Sequence, residues 1–418
     1  MLKHNVKQNP LPSGMGSINI LVIHEVDWIR KVVFDVHWIA ESMSLLGHQV
    51  YVITYESLWR QDKVKLSDRE FVVSRAYSGS AVHLIHSKFI RIPVLSRVSA
   101  SISHYFEIKR VIKEKKIDAI VLYSVPTNGL QTVHWAKRFK IPVVFRSIDV
   151  LNQLVPYSFL RPVTKLLEKK VYSNVDMILT ITPKLSEYVV KLGANPNKVG
   201  ILPIPVDTKL FHPLNNVDGL RQRWGLEGSK IVLFMGTLYN FSGLDVFIAR
   251  FLRVVERIPE AKLLIVGDGE QRSHLEGLID LLGLRNNVII TGFQPYQDIP
   301  QYINLAEICI NPFIINNTTK DIFPGKTVQY LACGKPLVMT PMEGVKALIS
   351  GEEQGVVYTD HNFPIAEAVI SLLKSDERRK RIGQNGLRYV REHHDYMQVA
   401  KQLEVILLDL IKIKNDGK

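Results

Sequence analysis

Short apolar runs alternate with stretches of helical periodicity along most of the chain. INILVIH (18–24) is followed by the amphipathic FDVHWIAESMSLLG ending at Gly47, and then by HQVYVIT (48–54). IDAIVLY (117–123), IPVVFRS (141–147) and VDMILTIT (175–182) continue the series. Near-continuous Val/Ile/Leu runs mark strands covered by helices on both faces, so the pattern predicts a parallel α/β sheet. It then restarts with KIVLFMG (230–236), AKLLIVG (261–267), NVIITG (287–292), EICINPF (307–313), PLVMT (336–340) and GVVYT (355–359). Two successive doubly wound units follow, with no short-period repeat.

The boundary falls in ILPIPVDTKLFHP (201–213), where Pro203, Pro205 and Pro213 interrupt the periodicity. The expected division is a Rossmann-like unit over 1–205, a second over 206–390, and a terminal helix over 391–418 that packs back on the first. From Asp376 to about Lys414 the pattern reads as one long helical segment. Ligands of open α/β sheets bind beyond the carboxyl ends of the strands. Two units facing each other therefore enclose a cleft lined by post-strand loops.

Composition narrows the class. Of 418 residues, 46% are hydrophobic and 22% charged, which excludes a disordered, collagen-like or disulfide-scaffold protein. No apolar run approaches the ~18 residues of a membrane-spanning helix. The polar start MLKHNVKQNPLPSGMGS lacks the apolar core of a secretion signal. Cys309 and Cys333 stand alone, so neither a disulfide framework nor a zinc site is indicated, and a reducing cytoplasm is expected. The formal net charge is +13, and it is one-sided. Up to Pro205 there are 28 Lys and Arg against 15 Asp and Glu; from Val206 onward the counts are 25 and 25. A basic half implies an anionic partner, such as nucleic acid, acidic lipid or a phosphorylated substrate, unless it reflects a basic background.

The chemistry lies in loops after second-half strands. Gly236-Thr237-Leu238 closes KIVLFMG and leads into a helix near Leu244; Gly267-Asp268-Gly269 follows AKLLIVG. Such glycines let backbone N–H groups approach an anion, although they also suit any α/β turn. DIFPGKTVQYLACGKP (321–336) says more. A helix runs from Lys326 to Cys333, bounded by Pro324-Gly325 and Gly334. Lys326 and Gln329 share a face of its first turn, a cation and an amide suited to a phosphate and a sugar hydroxyl. Asp321 precedes them, placed to accept hydrogen bonds from a polyhydroxy ligand. The plain alternative is an ordinary solvated helix start.

Taken in order, these segments resemble the retaining GT-B glycosyltransferases of family 4. The run LLIVGDGEQRSHLEGLIDLLGLRNNVIITGFQPYQDIPQYINLAEICINPF followed by KTVQYLACGKPLV looks like that family's nucleotide-sugar half. LGHQVYVIT and EKKVYSNVDMILTITPKLSEYVVKLGANPNKVGILPIPVDTKLFHP in the first half are also similar to it. The resemblance implies a GT-B fold: two Rossmann-like doubly wound parallel-sheet domains facing across a cleft, with a C-terminal helix crossing back. It implies that a nucleotide-sugar donor is held mainly by the second domain. Gly236 and Thr237 would lie against the donor diphosphate, Gly267 and Asp268 would line the nucleotide pocket, and the backbone at Phe293-Gln294 would read the base. Asp321 and Gln329 occupy the family's two glutamate positions, facing the donor sugar and the ribose. Lys326 and Gly325 would lie near the phosphates.

The chain also departs from the family. Thr237 and Ser242 stand where an Arg and a Lys usually neutralise the leaving diphosphate, and Gln329 is neutral. HEVDWIRK (24–31) replaces the glycine-rich loop after the first strand, and Ile148 rather than His precedes Asp149. Breaking a sugar–diphosphate bond develops charge on the leaving phosphate, so catalysis needs fixed positive charge or N–H dipoles there. The expected catalytic residues are Lys326, Asp321 and Asp149, with Arg30 or Arg146 reaching across from the first half; no protein nucleophile is assigned.

The expected activity is a hexosyltransferase-type transfer with retention, to a glycan or lipid-linked acceptor in cell-surface polysaccharide or glycoconjugate synthesis. A catalytically silent GT-B subunit and a nucleotide-sugar epimerase are the alternatives. No metal and no cofactor besides the donor are expected, and no nucleic-acid partner, since no recognition motif accompanies the charge. The stretch 86–116 mixes Phe89, Ile90, Ile92, Val94 and Leu95 with eight basic and two acidic residues. It points either to an anionic inner membrane surface or to a core-packed helix with a solvated cationic face. His393-His394-Asp395 lacks metal-ligand spacing, and the scattered tryptophans, Trp38 among them, read as packing residues.

Overall fold

The computed structural model describes residues 16–29, 33–55, 70–87, 95–153, 155, 158–359 and 364–416. The first sheet contains β1 (Asn19–Ile23), β2 (Gln49–Thr54), β3 (Glu70–Val73), β4 (Val82–His86), β5 (Ala119–Leu122), β6 (Val143–Ser147), β7 (Met177–Thr180) and β8 (Val199–Ile201). Their order is β3-β4-β2-β1-β5-β6-β7-β8, parallel except for the β3–β4 pair. The second contains β9 (Lys230–Met235), β10 (Ala261–Val266), β11 (Val288–Ile290), β12 (Ile308–Asn311), β13 (Leu337–Met339) and β14 (Val356–Tyr358), wholly parallel in the order β11-β10-β9-β12-β13-β14.

All six second-sheet strands coincide with the apolar runs. Three first-sheet strands do not. β3 is a part-exposed edge strand, β4 beside it interrupts its apolar residues with two histidines (VHLIH), and β8 is only three residues, Val-Gly-Ile, at the opposite edge. Edge strands bury one side at most, so burial writes a weaker signature into them.

Helices α1 (Asp35–Leu45), α2 (Leu95–Glu114), α3 (Gly129–Phe139), α4 (Arg161–Tyr172) and α5 (Pro183–Lys191) serve the first sheet. Around the second are α6 (Asp218–Arg223), α7 (Leu244–Arg257), α8 (Arg272–Leu281), α9 (Ile299–Leu305), α10 (Lys326–Ala332), α11 (Glu343–Lys346) and α12 (Ile365–Leu373). Local chemistry starts several of them. Thr182 caps α5 by accepting from Leu185 N–H (3.2 Å), with Pro183 in the first turn. On α7, Leu244, Phe247, Ile248, Phe251 and Val254 form one buried stripe against the sheet.

The segment after 376 is two helices instead of one: α13 (Asp376–His393) and α14 (Tyr396–Asp416). The break falls where the chain crosses between lobes beside the outgoing linker. Val206 N–H donates to the His394 carbonyl (2.8 Å), and Tyr396 N–H donates to the Val206 carbonyl (3.1 Å). The linker thus satisfies backbone groups that a continuous helix would have paired internally, so the helix stops without an unsatisfied end. Beyond it, Val399, Ala400, Leu403 and Leu407 join the core formed by α1, β1 and β2. The terminal helix does cross back.

Candidate active site

Both sheets reverse direction next to their first strand: β1 lies between β2 and β5, and β9 between β10 and β12. These are the switch points at which open α/β sheets leave a crevice. In the second lobe the crevice is floored by two glycines. Gly236 follows β9 at φ +139°, and Gly267 follows β10 at φ +150°. Gly236 N–H donates to the Val266 carbonyl (3.0 Å), and a Cβ on Gly267 would stand 2.0 Å from the Gly236 carbonyl oxygen. Neither backbone conformation nor space admits a side chain at Gly267. Thr237 is exposed beside this floor.

Asp268 comes next, its Oδ1 accepting from Gly269 N–H and its Oδ2 from Arg272 Nη1, both at 2.8 Å. The backbone N–H, and after it the guanidinium, hold this exposed carboxyl below its usual range. A bridge between Gly267 and Gly292 brings the next loop alongside. There Phe293 is 70% exposed, while Gln294 is tied to the Thr291 carbonyl and to the Tyr302 hydroxyl. Phe293 and Gln294 therefore stand beside the glycine floor.

Lys326 opens α10. Its Nζ lies 3.8 Å from the Phe234 ring centroid and 4.4 Å from that of Phe313. Phe234 is on β9 and Phe313 just past β12, so the cation sits over the switch point. It also lies against the glycine floor, 3.2 Å from where a Cβ of Gly236 would be. Lys326 keeps partial solvent access, but burial of its ammonium pushes the pKa well down, and among the described residues no carboxylate compensates it. Because α10 has only seven residues, its dipole is small, and the Lys326 amine is the group at this helix start that can take a positive charge when an anion binds.

Gly325 faces the other lobe: a Cβ there would be 3.4 Å from Cη2 of Trp38, on α1. Gln329 is buried one turn on, and the Tyr296 hydroxyl faces both Trp38 and Gln329. Among the described residues, neither that hydroxyl nor the indole N–H makes a well-aligned hydrogen bond. Asp321 is half-buried, and its carbonyl lies so close to Gly344 that a Cβ there would be 2.2 Å away. The α11 start thus clamps the segment leading into α10.

Across the cleft, the first lobe contributes a buried acid cluster. Arg146 Nη2 donates to Asp35 Oδ2 (2.6 Å), Arg146 Nε to Asp35 Oδ1 (3.1 Å), and the Tyr123 hydroxyl to Asp35 Oδ1 (2.9 Å). Arg146 also donates to the Leu202 carbonyl (2.5 Å). Its expected reach toward the donor is therefore wrong, since its guanidinium is committed to Asp35 and 1% exposed. Arg30 lies outside the described residues. Asp149 follows β6, where burial and then the Asp35 charge push its pKa up to about 7. Burial drives His24 down to about 3 and His37 to about 4, so both rings are neutral at physiological pH.

The structure thus gathers Gly236, Thr237, Gly267, Asp268, Gly325, Lys326 and Gln329 at the second switch point, with Phe293 and Gln294 on its flank and Asp321 leading in. Asp149 stands apart, in the opposing lobe. Sequence reasoning missed Trp38, Tyr296 and Asp35. Trp38 does pack, but across the cleft; an aromatic on the first helix after β1 was its only trace.

Two family models match the chain: "Glycosyl transferase 4-like domain" over residues 32–205 and "Glycosyl transferases group 1" over 217–389. Among curated relatives, an alpha-D-kanosaminyltransferase of Streptomyces kanamyceticus is 34% identical over 40% of this chain and 42% of its own. A D-inositol 3-phosphate glycosyltransferase of Thermomonospora curvata is 26% identical over 57% and 58%. The chain spans 42% to 64% of the length of the first three curated relatives it matches. Among solved structures, sucrose-phosphate synthase from Thermosynechococcus elongatus has a TM-score of 0.75 at 17% identity, over 95% of this chain and 100% of that one. HepE of Anabaena, solved in complex with UDP, has 0.72 at 16% over 94% and 100%. With both lobes matched by family models and the two-sheet architecture shared end to end, the chain belongs to the GT-B glycosyltransferases of the family-4 type.

Proposed function

We propose that the protein transfers a hexosyl group, with retention, from a nucleotide-sugar to a glycan or lipid-linked acceptor. One observation carries this reading: Lys326, whose amine has no carboxylate beside it among the described residues, stands over the switch point against the Gly236–Gly267 floor. A diphosphate placed there gains a partner for its charge where water is scarce, and charge that grows as the sugar leaves is stabilised most. The Arg and Lys usual after the first glycine are absent, so Lys326 takes over their task from the α10 side. Gln329 offers an amide to the ribose, and Phe293-Gln294 flanks the base. Structures of similar fold solved with UDP and with UDP-glucose support a nucleotide-sugar as donor.

Asp149, protonated in much of the population near neutrality, donates a hydrogen bond to a sugar or acceptor hydroxyl. No metal is required in this scheme, because the lysine and the loop N–H groups supply the positive field. The acceptor enters over the basic first lobe and belongs to cell-surface polysaccharide or glycoconjugate synthesis on the cytoplasmic side of a membrane. A second reading, a donor-binding subunit without turnover, is favoured by Ser242, which is buried where a cation is usual.

A thermal-shift screen against UDP-, GDP- and ADP-sugars identifies the donor, since a ligand of the native state raises apparent stability. Incubation of that donor with lipid-extracted acceptors then separates the readings. Release of nucleoside diphosphate with sugar incorporation supports transfer, altered free donor sugar indicates epimerisation, and binding without either product indicates a silent subunit.

A further inference from the structure

Helices α2, α3 and α4 pack on one and the same face of the first sheet, sharing a core through Ile108, Val111, Trp135, Ala136, Val171 and Tyr172. Their outer sides therefore look the same way, into solvent. On α4 the buried side is set by Thr164, Glu168, Val171 and Tyr172. Directly opposite, Val163 is 56% exposed and Leu166 55%, and Lys170 continues their line at i, i+3 and i+7. Lys165 and Lys169, both exposed, flank that line, and exposed Phe159 and Arg161 precede it. Residues 158–172 contain one carboxylate, Glu168; it is fully buried, accepting from Asn152 and from the hydroxyls of Tyr172 and Tyr188. On α2, Val98, Ile102 and Phe106 form a second outward stripe at i, i+4 and i+8, each about 60% exposed.

An outward helix face built of aliphatic side chains is out of place on a soluble surface, where the opposite pattern keeps elements dissolved. Here the aliphatics alternate with lysines whose long stems lie along apolar surface while the ammonium groups stay polar. We infer that this face of the first lobe docks on an anionic phospholipid bilayer, with Val163 and Leu166 entering the headgroup–acyl boundary and Lys165, Lys169 and Lys170 meeting lipid phosphates. A nucleic acid would satisfy the lysines but leave the aliphatic strip wet. A second copy of the chain would bring the same cations face to face. The sequence pointed to a membrane through Phe89–Leu95, of which Phe89, Ile90, Ile92 and Val94 lie outside the described residues; the α4 face is a separate surface. The inference refines where the acceptor of the proposed transfer is met, but docking is measured with neither donor nor acceptor, so either can fail alone.

The test is flotation of the full-length protein with vesicles of phosphatidylcholine alone or with roughly one-third phosphatidylglycerol. The protein should float with the anionic vesicles at low salt, not with the neutral ones, and be released at high salt. V163S/L166S should reduce bound protein about tenfold, and K165Q/K169Q by about fivefold per lysine removed. Thermal stability of both should stay at the parent value, since every altered side chain is exposed. Absence of flotation at low salt, or flotation unchanged in V163S/L166S, overturns the inference. So does a concentration-dependent dimer, seen by sedimentation, that V163S/L166S abolishes.

Discussion

Lys326 Nζ stands 3.8 Å above the Phe234 ring with no carboxylate compensating it among the described residues. Ring faces attract a cation but do not neutralise it, so burial still favours the uncharged amine. A bound diphosphate reverses that balance. Donor binding is therefore expected to take up a proton, because the amine is more basic with the anion present than without it. Titration calorimetry in two buffers of different ionisation enthalpy reads this directly; identical apparent enthalpies would remove Lys326 from the phosphate. Lys326→Ala should lower kcat/KM by about 10²–10³-fold with the circular dichroism spectrum unchanged.

Asp149 adds a pH dependence of opposite origin. Its carboxyl has an ordinary pKa of 3.8 and about 7 in the fold, so between those values the native chain holds a proton that the unfolded chain has released. Its contribution to stability accordingly falls as pH rises from about 4 to 7 and is level above that. Asp149→Asn should flatten the melting temperature over this window. In transfer assays the same change should remove the limb of the pH–rate profile near neutrality.

Gly267 tolerates no side chain. At φ +150°, with the Gly236 carbonyl 2.0 Å from the position of a Cβ, alanine must push the two post-strand turns apart. Gly267→Ala should destabilise the protein by about 2–3 kcal/mol and weaken donor binding as well. Gly277, on α8, has nothing near its Cβ position and is the control: Gly277→Ala should be neutral or slightly stabilising. Equal losses at both positions would contradict the assigned geometry.

Arg146 and Asp35 are predicted to act on stability. Both are sealed from solvent, so removing either strands the other. Arg146→Met should cost about 3–5 kcal/mol in chemical denaturation, and a double variant that also carries Asp35→Leu should recover part of it. An Arg146→Met protein that folds normally but turns over slowly would instead restore the guanidinium to the reaction.

The two sheets were legible because their central strands are buried on both faces, and such burial requires long aliphatic runs like KIVLFM and AKLLIV. β3 and β8 were not, since an edge strand needs little apolar sequence to hold its place, and β4 was not because His83 and His86 break its short apolar run. The break between α13 and α14 was invisible for a different reason: it is dictated by Val206, nearly 190 residues upstream, offering backbone partners at His394 and Tyr396. Local periodicity contains nothing about a partner that arrives from so far along the chain.

The same division holds within the site. Glycine after a strand, a lysine at a helix start and an amide three residues on are local facts, and the sequence alone determined which post-strand loops to inspect and that two parallel α/β units would follow one another. Tertiary structure decided which charges are available. It committed Arg146 to Asp35, left Lys326 between two rings with no carboxylate partner among the described residues, raised the pKa of Asp149 toward neutrality, and carried Trp38 across the cleft to Gly325. Electrostatics depends on distance and on exclusion of water, and neither is set until distant segments have packed.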